Sequence, residues 1–119
     1  WYLKAAKQGL AEAQHNLGFS YENGEGVREN DKTAVKWYTK AAEQGHARSQ
    51  YNLGAMYANG EGVLTSNIKA YIWWNLAAYN GNKNAVTNKD IITKEMTNEQ
   101  IAKAQELSQQ CLDSGYKDC

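Results

Sequence analysis

An all-α fold of stacked helix pairs, a solenoid, is what this sequence predicts, and three observations carry the expectation. Laying residues 1–36 on 37–72 gives 19 identical positions, among them Trp1/Trp37, Gly18/Gly54 and the whole of N-G-E-G-V at 23–27 and 59–63. A repeat of this size marks one supersecondary unit that buries its apolar face only by stacking on its neighbours. Apolar residues inside each copy recur at three- and four-residue spacing, the period of a helix with one packed side. The 119 residues include no proline and are rich in alanine, glutamine, lysine and glutamate. That composition favours helices and leaves glycine as the main breaker.

The elements follow in order. Residues 1–8 read as the tail of a preceding helix, cut open at Trp1. Leu10, Ala13, Leu17 and Tyr21 share a face and predict a helix over about 10–22; Ser49, Leu53 and Tyr57 do the same for about 46–58. Gly18 and Gly54 fall inside these helices, where glycine costs about 1 kcal/mol relative to alanine. A close approach by a neighbouring helix is the expected compensation. Each first helix ends in a glycine-containing stretch, YENGEGV at 21–27 and YANGEGV at 57–63. A phosphate loop would follow a strand and lead directly into a helix. These stretches follow helices and recur with the repeat, so they read as hinges, with Val27 and Val63 tucked toward the core. Second helices are expected over about 32–44, with Asp31 as N-cap and Gly45 as stop, and from Ser66 or Asn67 to Gly81. Ala34, Trp37, Ala41 and Ala42 form the packing stripe of the former, and Trp1, Trp37 and Trp73 read as packing between repeats. For Trp74, Tyr71 and Tyr79, core or cap packing is expected.

The third copy departs from the pattern. Ala85 keeps the place of Ala13 and Ser49, but Lys89-Asp90 replaces Leu-Gly and the glycine loop is missing. Thr97 and Gln100 then form a capping-box pattern for a helix over about 98–112. Ile101, Ala104, Ser108, Cys111 and Leu112 lie on its inner face, with Lys103, Glu106, Gln109 and Gln110 outside. A terminal helix with a polar outer side is what a solenoid needs as a cap. The expected domain is therefore a single repeat unit over 1–119, with repeats at 10–45 and 46–81 and a degenerate repeat plus capping helix at 82–119.

Thirteen basic and thirteen acidic side chains balance, which gives no electrostatic case for nucleic acid or an anionic membrane as partner. No apolar run approaches the roughly 20 residues that cross a bilayer, and no signal-peptide pattern opens the chain. Cys111 and Cys119 are eight residues apart and leave two readings open: a small disulfide loop formed in an oxidising compartment, or a half-buried thiol beside a terminal one. His15 and His46 share no metal-type spacing with the cysteines, so neither zinc nor another cofactor is expected.

The pattern A-x-x-x-L-G-x-x-Y-x-x-G-x-G-V, followed by D-x-x-x-A-x-x-W-Y-x-K-A-A-x-x-G, resembles the Sel-one-like repeat, a relative of the tetratricopeptide repeat, over residues 1 to about 85. The resemblance implies a right-handed superhelix of tetratricopeptide-like helix pairs acting as a protein–protein adaptor. Such proteins are frequent in bacteria, including secreted ones, so a periplasmic or secreted location is the expectation. In such solenoids the first helix of each pair lines the concave face. With Leu17 facing the core, the opposite side of the first helix carries Glu12, His15, Asn16, Phe19, Glu22 and Asn23. The second copy presents Arg48, Tyr51, Asn52, Ala55, Ala58 and Asn59 there. Phe19 and Tyr51 are the expected anchors of a bound protein or peptide segment. Asn16 and Asn52 are amides suited to a peptide backbone; the plainer alternative has them bonded to the adjacent loop.

Catalysis finds little support, since no nucleophile, base and orienting acid stand at a meaningful spacing. His15 and His46 read as surface histidines. Some cysteine-rich relatives are associated with β-lactams, which supplies an alternative function: an exported cell-wall or β-lactam-related binder or hydrolase using the groove as a small-molecule pocket. No serine here has a lysine three residues on, which counts against the hydrolase.

Overall fold

The computed structural model describes Ala6, residues 9–117 and Cys119. Within these lie six helices: α1 (Ala11–Asn23), α2 (Asp31–Ala42), α3 (Ala47–Asn59), α4 (Asn67–Tyr79), α5 (Lys83–Thr93) and α6 (Asn98–Asp113). Successive helices pack as α1 on α2, α2 on α3, α3 on α4 and α4 on α5, and α6 then folds over α4. The molecule is elongated, 44 × 26 × 22 Å. Trp1, the start of the expected repeat series, and the rest of the expected leading helix tail apart from Ala6 lie outside the described residues.

Most helix boundaries have a local chemical cause, although the N-cap of α1, Leu10, makes no side-chain cap hydrogen bond. Gly24 and Gly60 take left-handed backbone angles (φ 71° and 70°) at the ends of α1 and α3, where a side chain would be strained. The two hinges close alike: Asn30 N–H donates to the Tyr21 carbonyl at 2.8 Å and Ser66 N–H to the Tyr57 carbonyl at 2.9 Å. Val27 and Val63 are half-buried there. The N-cap of α2 is Asn30 rather than Asp31: the Asn30 side chain accepts from Thr33 N–H at 3.1 Å. Asp31 becomes the first helical residue, where its charge complements the helix dipole. Ser66 caps α4, Asn82 caps α5, and Thr97 and Gln100 complete the capping box of α6.

The mid-helix glycines are explained by two rings. A Cβ on Gly18 would lie 2.8 Å from Cδ1 of Tyr38, and one on Gly54 would lie 2.6 Å from Nε1 of Trp74. Tyr38 and Trp74 are 36 residues apart, as are the glycines, so one ring-on-backbone contact is written twice. Asp90 stands at the third position of the glycine series. No ring can settle on it, and α6 packs on α4 instead of pairing with α5. The displaced α6 leaves a cavity of about 720 Å³ between α5 and α6 over α4, lined by Asn75, Tyr79, Lys89 and Leu112 among others.

The core is aromatic and aliphatic, with Tyr38, Leu53, Met56 and Leu76 wholly buried. Helix α4 is apolar nearly all round because α3, α5 and α6 surround it: Tyr71, Ile72, Trp73 and Trp74 are each at most 5% exposed. Tyr79, in its last turn, is 72% exposed, contrary to the core or cap packing expected of it; it sits beside the opening that α6 leaves. Trp37 is buried on one side, and Lys36 and Lys40 place their ammonium groups 5.7 and 5.5 Å from its ring centre. On α6, Ala104, Ser108 and Cys111 face inward. A disulfide joins Cys111 to Cys119, with Cα atoms 4.8 Å apart.

Buried amides tie one repeat to the next. Gln14 Nε2 donates to the Ala6 carbonyl and Gln50 Nε2 to the Ala42 carbonyl, both at 3.0 Å. Their own carbonyl oxygens accept from Gln44 (2.7 Å) and Asn80 (3.0 Å). The Ala6 and Ala42 carbonyls each also accept a backbone N–H, from Gly9 and Gly45 at 3.0 Å, so the buried glutamine uses the second lone pair at equivalent positions in both copies.

Two outcomes follow for the folded chain. Gly54→Ala is expected to lower stability by up to about 2 kcal/mol in urea denaturation. The overpacking cost of roughly 1–3 kcal/mol exceeds the helix-propensity gain of about 1 kcal/mol, because Trp74 is pinned by its own hydrogen bond to the Tyr51 carbonyl (3.0 Å). Intact mass under non-reducing conditions should rise by two hydrogens on reduction of Cys111–Cys119.

Candidate functional site

The odd-numbered helices are neighbours along one side of the molecule. His15 of α1 bonds Ser49 of α3, and Tyr51 of α3 bonds Asn88 of α5. The twelve positions assigned to this face are distributed unequally. Glu12, Phe19, Asn23, Arg48 and Asn59 are exposed; Asn16, Glu22, Tyr51, Asn52, Ala55 and Ala58 are half-buried. His15 is not on the surface: it is 3% exposed, wedged where α1 meets the start of α3.

Several of these polar groups are committed to the fold. Asn23 Nδ2 donates to the Phe19 carbonyl at 2.9 Å, the plain backbone role. Asn52 stands near the hydroxyl of Tyr38, and that hydroxyl donates to Glu22 Oε1 at 2.7 Å. Burial pushes the Glu22 carboxyl above its usual range; the Tyr38 hydrogen bond opposes this, and Glu61 and Asp31 nearby add to it. Burial first and the Glu22 bond second raise Tyr38 far above the usual phenol range.

Sequence reading missed the junction at His15. Its Nδ1 lies 2.8 Å from Ser49 Oγ, and His46 Nδ1 lies 2.9 Å from the same oxygen. His46 Nδ1 also accepts from Ser49 N–H at 3.2 Å and so caps α3. The arrangement that satisfies all three bonds has His15 Nδ1–H donating to Ser49 Oγ and the Ser49 hydroxyl donating to His46. The imidazoles lie with centroids 4.9 Å apart and their planes tilted by 37°. Burial, then the proximity of His46 and Arg48, lowers the His15 pKa to about 4; burial also lowers that of His46. A serine between two imidazoles has the elements of a nucleophile site, yet Ser49 is fully buried and closed to any substrate. The signal was available in the repeat: residue 15 and residue 49 differ by two less than the 36-residue period, as residues facing each other on neighbouring first helices would.

What does open on this side is a cavity of about 430 Å³ between α3 and α5. Tyr51, Ala55, Ala58 and Asn59 come from α3, Trp74 from α4, and Asn88, Ile91 and Ile92 from α5, with Glu95 just beyond it. The structure thus gathers four of the assigned residues and adds α5, which the sequence reading left out of the site. The signal for α5 was present in the period. Asn16, Asn52 and Asn88 are spaced by 36, as are Phe19, Ala55 and Ile91, so the third copy keeps its outer face while losing its glycine.

Paired helices stacked by a 36-residue step, with a groove between first helices, define an α-solenoid of the tetratricopeptide-like class. The Sel1 repeat family model matches residues 1–10, 11–46 and 47–82, and the chain belongs to the Sel1 repeat family. It is similar to a protective antigen of uropathogenic Escherichia coli strains that displays an SLR fold, with 36% identity and a TM-score of 0.93 over 98% of this chain. A Sel1 repeat protein from Oxalobacter formigenes shares 45% identity over 76% of the chain, with a TM-score of 0.75. The chain spans 26% and 37% of the length of these two proteins. No curated protein matches the sequence. Sel1 repeats generally serve as scaffolds for protein–protein interaction.

The buried histidine predicts an acid sensitivity. The native pKa of His15, about 4, lies below the unfolded value of about 6.5, so the native state binds fewer protons between the two. Its contribution is complete above about pH 6.5 and is lost as pH falls toward 4. Thermal midpoints measured across that range should therefore decline. In His15→Asn, which keeps a donor toward Ser49 but does not titrate, the decline should be shallower; the remainder belongs to His46 and other groups.

Proposed function

We propose that this chain is an interaction scaffold that holds a segment of a protein partner along the face formed by α1, α3 and α5. The observation that carries the reading is the groove between α3 and α5, where Tyr51, Ala55, Ala58 and Asn59 from the assigned face meet Ile91 and Asn88. Two further features support it. Phe19, 43% exposed, and Ile91, 56% exposed, flank half-buried Ala55 in the same repeat position, giving an apolar row on an otherwise polar face. Such exposed apolar side chains beside a concavity are where anchoring energy concentrates. The proposal includes the division into repeats at 10–45 and 46–81 and a degenerate repeat with capping helix at 82–119. It also includes a periplasmic or secreted location, for which the Cys111–Cys119 bridge argues.

The test is recovery of partners from native-host lysate by the wild-type chain and by the Phe19→Ala/Tyr51→Ala double variant. Specific partners should drop at least several-fold with the double variant while its circular dichroism stays that of the wild type. Equal recovery by both proteins would remove this face from the function.

A further inference from the structure

We propose that the cavity between α3 and α5 receives a cationic side chain, an arginine or lysine, from an extended partner segment that carries aliphatic residues beside it. This rests on the preceding reading that the odd-helix face is the docking face, and it adds the chemistry of the occupant. About half of the cavity surface is apolar, supplied by Ala55, Ala58, Trp74 and Ile91. That surface suits the methylene stem of a long side chain, which buries its carbons while its charge stays at the mouth. No lysine, arginine or histidine lines the cavity, and its one charged lining residue is Glu95.

The polar lining mixes donors and acceptors, with Tyr51, Asn59, Asn67 and Asn88 beside the Glu95 carboxylate. Asn59 Nδ2 donates to Glu61 Oε1 at 3.2 Å, so a second carboxylate is bonded to a lining residue. Asn88 Nδ2 donates to Tyr51 Oη at 3.1 Å. Each amide thus has an N–H engaged within the protein, and among the described residues neither amide oxygen accepts a hydrogen bond. Carboxylates and amide oxygens together call for a donor-rich cation, and a guanidinium with its five N–H groups fits such a set better than any neutral side chain.

Negative charge continues from the mouth toward α1. Gly62 packs so closely on the start of α2 that an added Cβ would lie 2.6 Å from the Asp31 carbonyl carbon. The 60–66 loop is thereby held at Asp31, and Glu61 and Asp31 both act on the half-buried Glu22 carboxyl. A cation docked here meets attraction from more than its immediate ligand. The apolar row sets the neighbouring positions. Packed helices stand about 8–10 Å apart, roughly three residues of extended chain at about 3.3 Å each. Phe19 on α1 lies about one and a half such steps from the middle of the cavity, so a segment with its cation there places an aliphatic side chain about four residues away over Phe19.

Panning a random dodecapeptide phage library on the immobilised chain tests this, followed by fluorescence anisotropy with the enriched peptide. Enrichment of Arg or Lys flanked by aliphatic residues is expected. Binding should weaken about tenfold or more when Gln replaces the peptide's cation, and likewise with Glu95→Lys, a change at an exposed position. Glu95→Gln should show a smaller loss in the same direction, and Ala55→Trp, which fills the cavity, should abolish binding while thermal melts report an intact fold. Enrichment of acidic or uncharged peptides, or no enrichment, overturns the proposal. If Phe19→Ala/Tyr51→Ala weakens binding but the Gln peptide and Glu95→Lys do not, the face docks a segment by other means, and only the cation assignment falls. If none of these variants changes binding, the docking face falls with it.

Discussion

An aromatic ring laid on a bare backbone is the constraint from which this structure follows. Gly18 under Tyr38 and Gly54 under Trp74 let the two helices of each pair approach to a distance that any Cβ would forbid. Each ring is then tied by a hydrogen bond to the helix it lies on. Tyr38 donates to Glu22 on α1, and Trp74 donates to the backbone of Tyr51 on α3. A single side chain thus fixes both the spacing and the orientation within a pair, which is why the cost of glycine in a helix interior is tolerated twice.

The same constraint explains how the regular stack ends. With Asp90 in place of glycine, α6 has no seat on α5 and packs over α4. Lys89 folds back, with Nζ 3.1 Å from Asn75 Oδ1 and 5.8 Å from the centre of the Tyr71 ring. The α5 helix therefore keeps its outward face, with Asn88 and Ile91, on a support of different design. The groove beside α3 is a product of that arrangement: it is lined by the ring that holds α3 to α4 and by a helix freed from pairing.

Between repeats, buried polar groups add to an apolar core that runs from Tyr38 and Ala42 to Leu53 and Met56. Gln14 and Gln50 donate to the Ala6 and Ala42 carbonyls and accept in turn from Gln44 and Asn80. Among the described residues no buried side-chain polar atom lacks a partner. A complete network of this kind rewards one register and penalises slippage, because a shifted helix would strand several buried groups at once. The His15–Ser49–His46 chain adds a third fastening at the α1–α3 junction, there made of titratable groups, so this joint responds to acid where the amide joints do not.

The period of 36 residues, its helix faces, hinge glycines and capping box were all legible in the sequence, because each depends on local backbone chemistry or on a pattern written twice. Close approach at Gly18 and Gly54 was legible as a need, and its partners stood in the same alignment: Tyr38 and Trp74 occupy one column. Phe19 is exposed where the helical period placed it, and Tyr51 and Ala55 are half-buried on the same side. Tertiary structure alone decided what lies between faces. It buried His15 against Ser49, set Asn52 near Tyr38, left Tyr79 bare and brought α5 into the site. Those outcomes depend on the angle at which one helix pair meets the next and on where α6 settles. Neither is encoded in a single repeat, since both arise from packing among side chains far apart in the chain.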